Sequence, residues 1–432
     1  MKRISVIAVL LLIFLVQCAL CSGCAPSEKK EAEKKEEKPA AEKVEEVRVG
    51  ILLPFTGAVA IIGEHNWKGH ELAAKEINEA GGIKSLGGAK LKLIKADSCS
   101  DPKVGMTECE KLIVENKVVT IMGAYQSAVT YPTTAVAEKY KIPYIVPVAV
   151  KDDITDRGFK YTFRLAAKAS WWARDQLKFM MWLAEQSGVQ PETIAFVYEN
   201  TDWGKSTRDG WLKWMKDLGL DQKLKIVLDE PYPADAPDMT PVILKLKEAK
   251  PDIVFLVSYT GDAIKLSNTM AEMKFDCMAL IGNGAGHMDP VFVESCGKNA
   301  DYTFSVAEFA PDSDDPLVLK VRAAFEKEYG YPMPEPSVNG YACTYILADA
   351  LERCGSTDPE KIRNALAETH ITEGPATVVP FDIIEFGPDG QSIHSSLVGV
   401  QVQNGQFKTV WPPGVAPAGN KPIFPIPKWE ER

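Results

Sequence analysis

The chain has 432 residues, of which 46% are apolar and 25% charged, and its formal net charge is −10. Too many residues are apolar for a disordered chain, and the length suits two or three domains. An acidic chain without a basic stripe is a poor partner for nucleic acid, because neutralising phosphates takes clustered Lys and Arg.

Lys2 and Arg3 lead into the apolar run 4–16, long enough for a signal peptide and short for a membrane span. Cys21-Ser22-Gly23-Cys24 follows and resembles the lipobox of prokaryotic lipoproteins, with Cys21 at a position that is usually apolar. The expectation is a signal peptide over 1–23 and a lipidated Cys24; a soluble secreted protein cut nearby is the alternative. Residues 24–46 are rich in Glu and Lys and cannot bury enough apolar surface to fold alone. As a flexible tether they reach about 25 Å. No later run holds 18 apolar residues, so no other membrane span is expected. The chain therefore reads as exported and anchored by lipid to the outer face of the cytoplasmic membrane.

From Val47 onward short apolar strands alternate with helical patterns. Strands are expected at 47–53, 91–96, 118–123 and 142–148, and helices at 64–79, from Asp101-Pro102 onward, and at 127–140. Asp101 is placed to cap a helix and Pro102 to open it. An irregular stretch, 149–168, precedes a second series. There, strands 193–198, 223–228, 252–257 and 277–281 alternate with helices 204–218, 238–249, 261–273 and 288–295. Two or three helices are expected within 316–369, strands near 396–402 and 406–410, and a Pro-rich tail over 412–432. The alternation implies parallel sheets covered on both faces. The break at 149–168 favours two doubly wound α/β lobes over a single barrel. In such sheets ligands bind beyond the carboxyl ends of the strands, so the search narrows to the segments just after them.

Those segments and their neighbours read, in order, GILLPFTG, INEAGGI, DSCSDP, MGAYQSAVTYP and IPYIVPVAVKDDIT, then IAFVYENTDWGKS, PDIVFLVSYTGDAIKL and NGYACTYILADALERCGS. Their order and spacing over 47–410 resemble the type I periplasmic binding proteins of ABC importers, the leucine/isoleucine/valine-binding proteins in particular. The resemblance implies two α/β lobes joined by a three-strand hinge and closing on a small polar ligand. The first lobe would comprise 47–167 and 307–378, the second 168–306 and 379–411.

Ser127 opens helix 127–140, where free N–H groups and the helix dipole favour an anion. It either caps the helix or, as the resemblance implies, donates to a ligand carboxylate. Val148, Ala149 and Val150 end the next strand with backbone groups facing the cleft. The resemblance places a Thr hydroxyl at position 150, which Val lacks. Trp203 and Tyr259 stand where similar proteins close aromatic rings over the ligand; packing on their own helices is the alternative. At Gly284, in GNGAGH, the family's amino-acid binders carry a Glu for the ligand ammonium. Without that acid, an ammonium needs another carboxylate, with Glu64, Asp202 and Asp262 the nearest. Otherwise the ligand has no ammonium, and leucine, isoleucine and valine are discriminated against. Trp171 or Trp172 lines the cleft floor or packs at the hinge.

Beyond the export segment the cysteines are Cys99, Cys109, Cys277, Cys296, Cys343 and Cys354. Export makes disulfides reasonable. Cys277 starts a strand and Cys296 ends the helix running back, so the two are expected to meet and pair. Cys343 and Cys354 on one helix stand about 16 Å apart, beyond disulfide reach. Similar proteins bridge the position of Cys99 to one that is Gln126 here; Cys109 is a nearby alternative.

The reading as a whole is a monomeric binding protein, not an enzyme, with no cofactor and no metal site. It captures a small-molecule ligand (a branched-chain amino acid, amide or small carboxylate) and delivers it to the membrane subunits of an ABC permease. A tethered sensor of the same fold calls for a signalling domain or second membrane segment, which the sequence does not show. For an exported enzyme there is no His-Glu-x-x-His and no Gly-x-Ser-x-Gly, and His65 and His70 lie off one helical face.

Overall fold

A computed structural model describes residues 44–432. The signal segment, Cys24 and nearly all of the tether lie outside the described residues. The first series comprises β1 (Glu46–Leu53), α1 (Ala60–Glu79), β2 (Lys90–Asp97), α2 (Pro102–Val114), β3 (Thr120–Gly123), α3 (Ser127–Tyr140), β4 (Tyr144–Val146), α4 (Asp153–Asp156) and β5 (Thr162–Arg164). Its strands form a parallel sheet in the order β2-β1-β3-β4-β5. The second series runs α5 (Ala169–Ser187), β6 (Thr193–Glu199), α6 (Asp202–Asp217), β7 (Lys225–Tyr232), α7 (Thr240–Ala249), β8 (Ile253–Val257), α8 (Thr260–Glu272), β9 (Ala279–Asn283), α9 (Pro290–Cys296) and β10 (Phe304–Ala307). There follow α10 (Pro316–Tyr329), α11 (Glu335–Cys354), α12 (Pro359–Ala367) and a small ladder of β11 (His370–Ile371) with β12 (Ile384–Glu385). Finally β13 (Val398–Gln403) and β14 (Gln406–Trp411) add an antiparallel edge to the second sheet, whose order is β14-β13-β10-β9-β8-β6-β7.

Local chemistry sets these elements. Every residue of β3, β4, β8 and β9 is buried, because helices cover both faces of the sheets and leave no wet side. Helices α2, α9, α10 and α12 each begin at an Asp-Pro pair. Asp101, Asp289, Asp315 and Asp358 accept N–H bonds from the first turn, and the proline surrenders a donor the helix does not use.

The structure departs from the sequence reading in four places. The stretch 149–168 is not wholly irregular: it supplies α4 and β5, and β5 pairs with β4 to complete the first sheet. At three residues it is too short to show a period. The return to the second sheet comes later than 378–379. Gln391 still bridges to Arg164 beside β5 and Phe386 packs on Phe163 with ring centroids 5.3 Å apart, so the crossing falls between Ser392 and Val398. The Pro-rich tail is docked: Ile426 N–H donates to the Met278 carbonyl at 2.9 Å and Trp429 Nε1 to that of Phe275 at 2.5 Å. Cys277 and Cys296 do not pair, and all six described cysteines are free thiols. The seven residues of α9 climb only about 10 Å, too little to return to the start of β9. Cys296 packs with Phe292 and Val402, a cluster that does not include Cys277.

Helices α10 to α12 follow the second crossing and pack on the first lobe, chiefly through α11 against α1. At their crossing a Cβ on Gly69 would lie 1.9 Å from the Ser337 carbonyl oxygen. Asn66 Nδ2 donates to the Pro336 carbonyl at 2.6 Å and Ser337 Oγ to that of His65 at 2.5 Å. This contact fixes the first turn of α11. Gly69→Ala is expected to destabilise the protein by about 1–3 kcal/mol through overpacking, read by urea unfolding. Unchanged stability would contradict so close a crossing.

Candidate functional site

At the carboxyl ends of both sheets a partly open cavity lies between the lobes. The first lobe contributes Tyr125 and Ser127 around the start of α3, and Val148, Ala149 and Val150 beyond β4. The second contributes Trp172 of α5, Trp203 of α6, Tyr259 before α8, and Asn283 and Ala285 around the end of β9. Glu308, just after β10, and Glu335, Pro336 and Asn339 of α11 close the remaining side.

Ser127 is the first residue of α3, one place inside the cap. Its Oγ accepts the N–H groups of Val150 and Lys151, each at 3.2 Å. With both lone pairs engaged, the hydroxyl hydrogen is left to donate elsewhere. The same bonds remove a contact expected at Val150. Its N–H is taken by Ser127 and its carbonyl accepts the Ala169 N–H at 2.7 Å, so Val150 offers the cavity an apolar wall. Arg164, fully buried, holds that wall in place: Nη1 donates to the carbonyls of Ala149 at 3.3 Å and Lys151 at 2.6 Å. Its Nη2 donates to Thr155 Oγ1 at 2.8 Å and its Nε to Gln391 Oε1 at 2.6 Å. Burial lowers its pKa to about 10, which leaves it cationic at neutral pH.

On the opposite side the Trp203 and Tyr259 rings sit 4.9 Å apart and both face the cavity. Trp203 Nε1 donates to Asn283 Oδ1 at 3.1 Å, and Asn283 Nδ2 donates to Gln176 Oε1 at 2.8 Å. The indole is therefore fixed by a buried amide chain. Of the two candidate tryptophans in α5, Trp172 lines the cavity and Trp171 does not.

Gly284 does not line the cavity. Its φ is +61°, and a Cβ there would lie 2.7 Å from the Trp172 ring and 3.3 Å from Glu335 Oε2. An acid at 284 would enter space that Trp172 and Glu335 already fill. The carboxyl groups that face the cavity are Glu308 and Glu335, neither of which the sequence reading singled out. Glu308 Oε1 accepts the Ala167 N–H at 2.5 Å and its Oε2 accepts Asn339 Nδ2 at 3.1 Å. The Glu308 N–H donates to Glu335 Oε1 at 2.5 Å. Burial pushes Glu308 up to about 8, with the neighbouring Glu335 charge adding to it, and pushes Glu335 up to about 7.

The three acids expected to substitute are elsewhere. Asp202 pairs with Lys151 across the lobes at 2.8 Å, Glu64 stands 3.7 Å from Lys95, and Asp262 is buried in α8 outside the cavity. The expectation that leucine, isoleucine and valine are discriminated against rested on a cavity without carboxyl groups, and that premise does not hold. Tyr125 and Asn283 lie within or beside the segments that follow strands, so position alone marked them. Glu308 lies in a connection and Glu335 at the first position of α11, and the fold brings them together; no local pattern marks them.

The profile of the periplasmic binding protein family matches residues 46–406. The chain belongs to this family. It is 30% identical over 383 residues to the Leu/Ile/Val-binding protein homolog 8 of Brucella abortus, covering 86% of this chain and 92% of that one. Among solved structures it is similar to the branched-chain amino acid transporter substrate binding protein LivJ from Streptococcus pneumoniae, in complex with isoleucine. There the TM-score is 0.73 at 22% identity, over 85% of this chain and 100% of that one. A solute binding protein of an ABC transporter from R. palustris, in complex with benzoate, also gives 0.73, at 20% identity over 88% and 99% of the two chains. This periplasmic binding protein is thus a solute binder by family and not an enzyme, with the fold of two lobes around a cleft. Among its described residues no helix is long and apolar enough to cross a membrane.

Ser127→Ala and Tyr259→Ala are each expected to weaken solute binding by about 1–3 kcal/mol, the scale of a lost buried hydrogen bond or packed aromatic. Ser127→Ala also leaves two N–H groups of the 150–151 wall without their acceptor, so it should lower the stability of the ligand-free protein. Calorimetry and denaturant titration separate the two effects. Normal binding by both variants would move the site elsewhere.

Proposed function

We propose that the chain is the extracytoplasmic solute-binding component of an ABC importer. It captures a small amino-acid-like solute (a branched-chain amino acid, an amide or a small carboxylate) and delivers it to the membrane permease. The observation that carries this reading is the cavity itself, with a hydroxyl donor and a helix N-terminus on one lobe and aromatic rings on the other. The similar proteins support it: isoleucine and benzoate, bound by two of them, share a carboxylate and an apolar body. The expected site residues keep their roles in modified form. Ser127 donates, Val148, Ala149 and Val150 wall the apolar side, Trp203 and Tyr259 cover the solute, and Gly284 makes room for Trp172.

The mechanism is closure. A solute touched by both lobes binds their closed arrangement best and shifts the population toward it, with no bond made or broken. The Lys151–Asp202 pair at 2.8 Å joins the lobes beside the cavity and belongs to the closed arrangement. A thermal-shift screen of amino acids, amides and small carboxylates identifies the solute. Small-angle scattering should then show compaction on adding it, and the solute should be recovered unchanged. Turnover of the solute would favour an enzyme and defeat the reading.

The N-terminal segment completes the proposal. A signal peptide ending at Gly23 and a lipidated Cys24 would hold the protein at the outer face of the cytoplasmic membrane on its Glu/Lys-rich tether, as a monomer beside the permease. Intact mass of membrane-extracted protein is expected to show the lipid on a chain that begins at Cys24. A soluble product with an unmodified cysteine would overturn the anchor.

A further inference from the structure

The cavity carries acid without base. Glu308 and Glu335 are 2% and 5% exposed, and among the described residues no Lys, Arg or His lines the space they face. Their observed partners are neutral: Ala167 N–H and the Asn339 amide on Glu308, and the N–H groups of Glu308 and Ala285 on Glu335. Arg164, whose charge acts on Glu308, directs its donors at Gln391, Thr155 and the carbonyls of Ala149 and Lys151. An ionised carboxylate offers about four acceptor sites, so both groups keep capacity. Aromatic rings from Trp172, Trp203, Tyr125 and Tyr259 share the cavity, and their faces favour a cation. At the α3 end the chemistry is reversed, because Ser127 can only donate.

From this polarity we propose that the solute is a zwitterion, its carboxylate at Ser127 and its ammonium against Glu335 and Glu308. The proposal rests on the solute-binding reading above and narrows it. Protons report on it. In the empty cavity burial leaves Glu308 mostly and Glu335 partly protonated near neutrality, and a bound ammonium favours their ionised forms. Binding of a zwitterion therefore releases protons, and affinity falls as pH drops below about 8. A simple carboxylate behaves oppositely, since it needs the acids protonated and weakens as pH rises. The other ionisable groups facing the pair are Arg164, which stays cationic, and Tyr125 and Cys343, which burial keeps neutral. Asp289 faces Tyr125 in turn.

The test is calorimetry on the intact protein with the common L-amino acids and glycine betaine, beside the corresponding 2-keto acids and benzoate. Buffers of differing ionisation enthalpy count protons at each pH. An amino acid or betaine should bind at least about tenfold more tightly than its partner without the cation, with net proton release at pH 7. Glu335→Gln should weaken that binding about tenfold or more and reduce the release. The proton count on the unaltered protein stands whether or not this variant folds. Tighter binding of a keto acid or benzoate, with proton uptake, would overturn the proposal and leave the solute-binding reading intact. Binding by no amino acid or betaine would overturn the proposal, and failure of the wider thermal-shift screen as well would overturn the solute-binding reading.

Discussion

The crossing segment 165–167 is the point on which the two lobes and the cavity jointly depend. Its Ala167 N–H is bound by Glu308, which leaves the second sheet at the second crossing. Its Ala166 and Leu165 carbonyls accept from Gln391 Nε2 at 2.8 Å and Ser395 Oγ at 2.7 Å, around the third crossing. Three chain passages are therefore knotted by side-chain bonds to one stretch of backbone. One of the knotting groups, Glu308, also lines the cavity and hands its own N–H to Glu335. The charge state of the site and the geometry of the hinge share atoms. A change in how Glu308 is ionised alters the strength of its bond to Ala167, because charge-assisted hydrogen bonds are about twice as strong as neutral ones.

The sequence made the local features legible and hid those made by distant contacts. Parallel strands and their helices announce themselves by apolar runs and by Asp-Pro starts, and α3 was placed at Ser127 to the residue. The aromatic pair was visible because Trp203 and Tyr259 each follow a strand end. Strand β5 was not, since its pairing with β4 and Gln391 comes from tertiary context. The acids were not, since Glu308 and Glu335 stand 27 residues apart, one in a connection and one at the start of α11. The expected disulfide failed on helix length: strand direction was read correctly, but α9 is too short to bring Cys296 back to Cys277.

Arg164 illustrates how a buried charge is made tolerable and useful together. Its donors meet two carbonyls, an amide oxygen and a hydroxyl, so its desolvation is offset by bonds to neutral acceptors. Those acceptors lie on the cavity wall, on α4 and beside β5. The wall at 149–151 is thereby rigid from behind through Arg164 and from the side through Ser127 Oγ. A rigid wall costs a ligand little ordering entropy on binding.

The missing side chain at Gly284 and the acid at Glu335 belong to one piece of packing. A Cβ at 284 would meet the Trp172 ring at 2.7 Å, so any side chain there demands that Trp172 move. Trp172 is 5% exposed and belongs to the main hydrophobic core, so moving it would disturb that packing. With position 284 closed to side chains, a carboxyl group reaches this region of the cavity from the other side, from the first turn of α11. That turn is held by the α1 crossing at Gly69 and Ser337. Recognition of charge in this cavity thus depends on a helix of the first lobe instead of a loop of the second. When the lobes separate, Glu335 stays with Ser127 on the first lobe and parts from Ala285 on the second. A solute entering the open cleft then meets its donor and its acceptors on the same half, and the rings of Trp172, Trp203 and Tyr259 arrive only on closure.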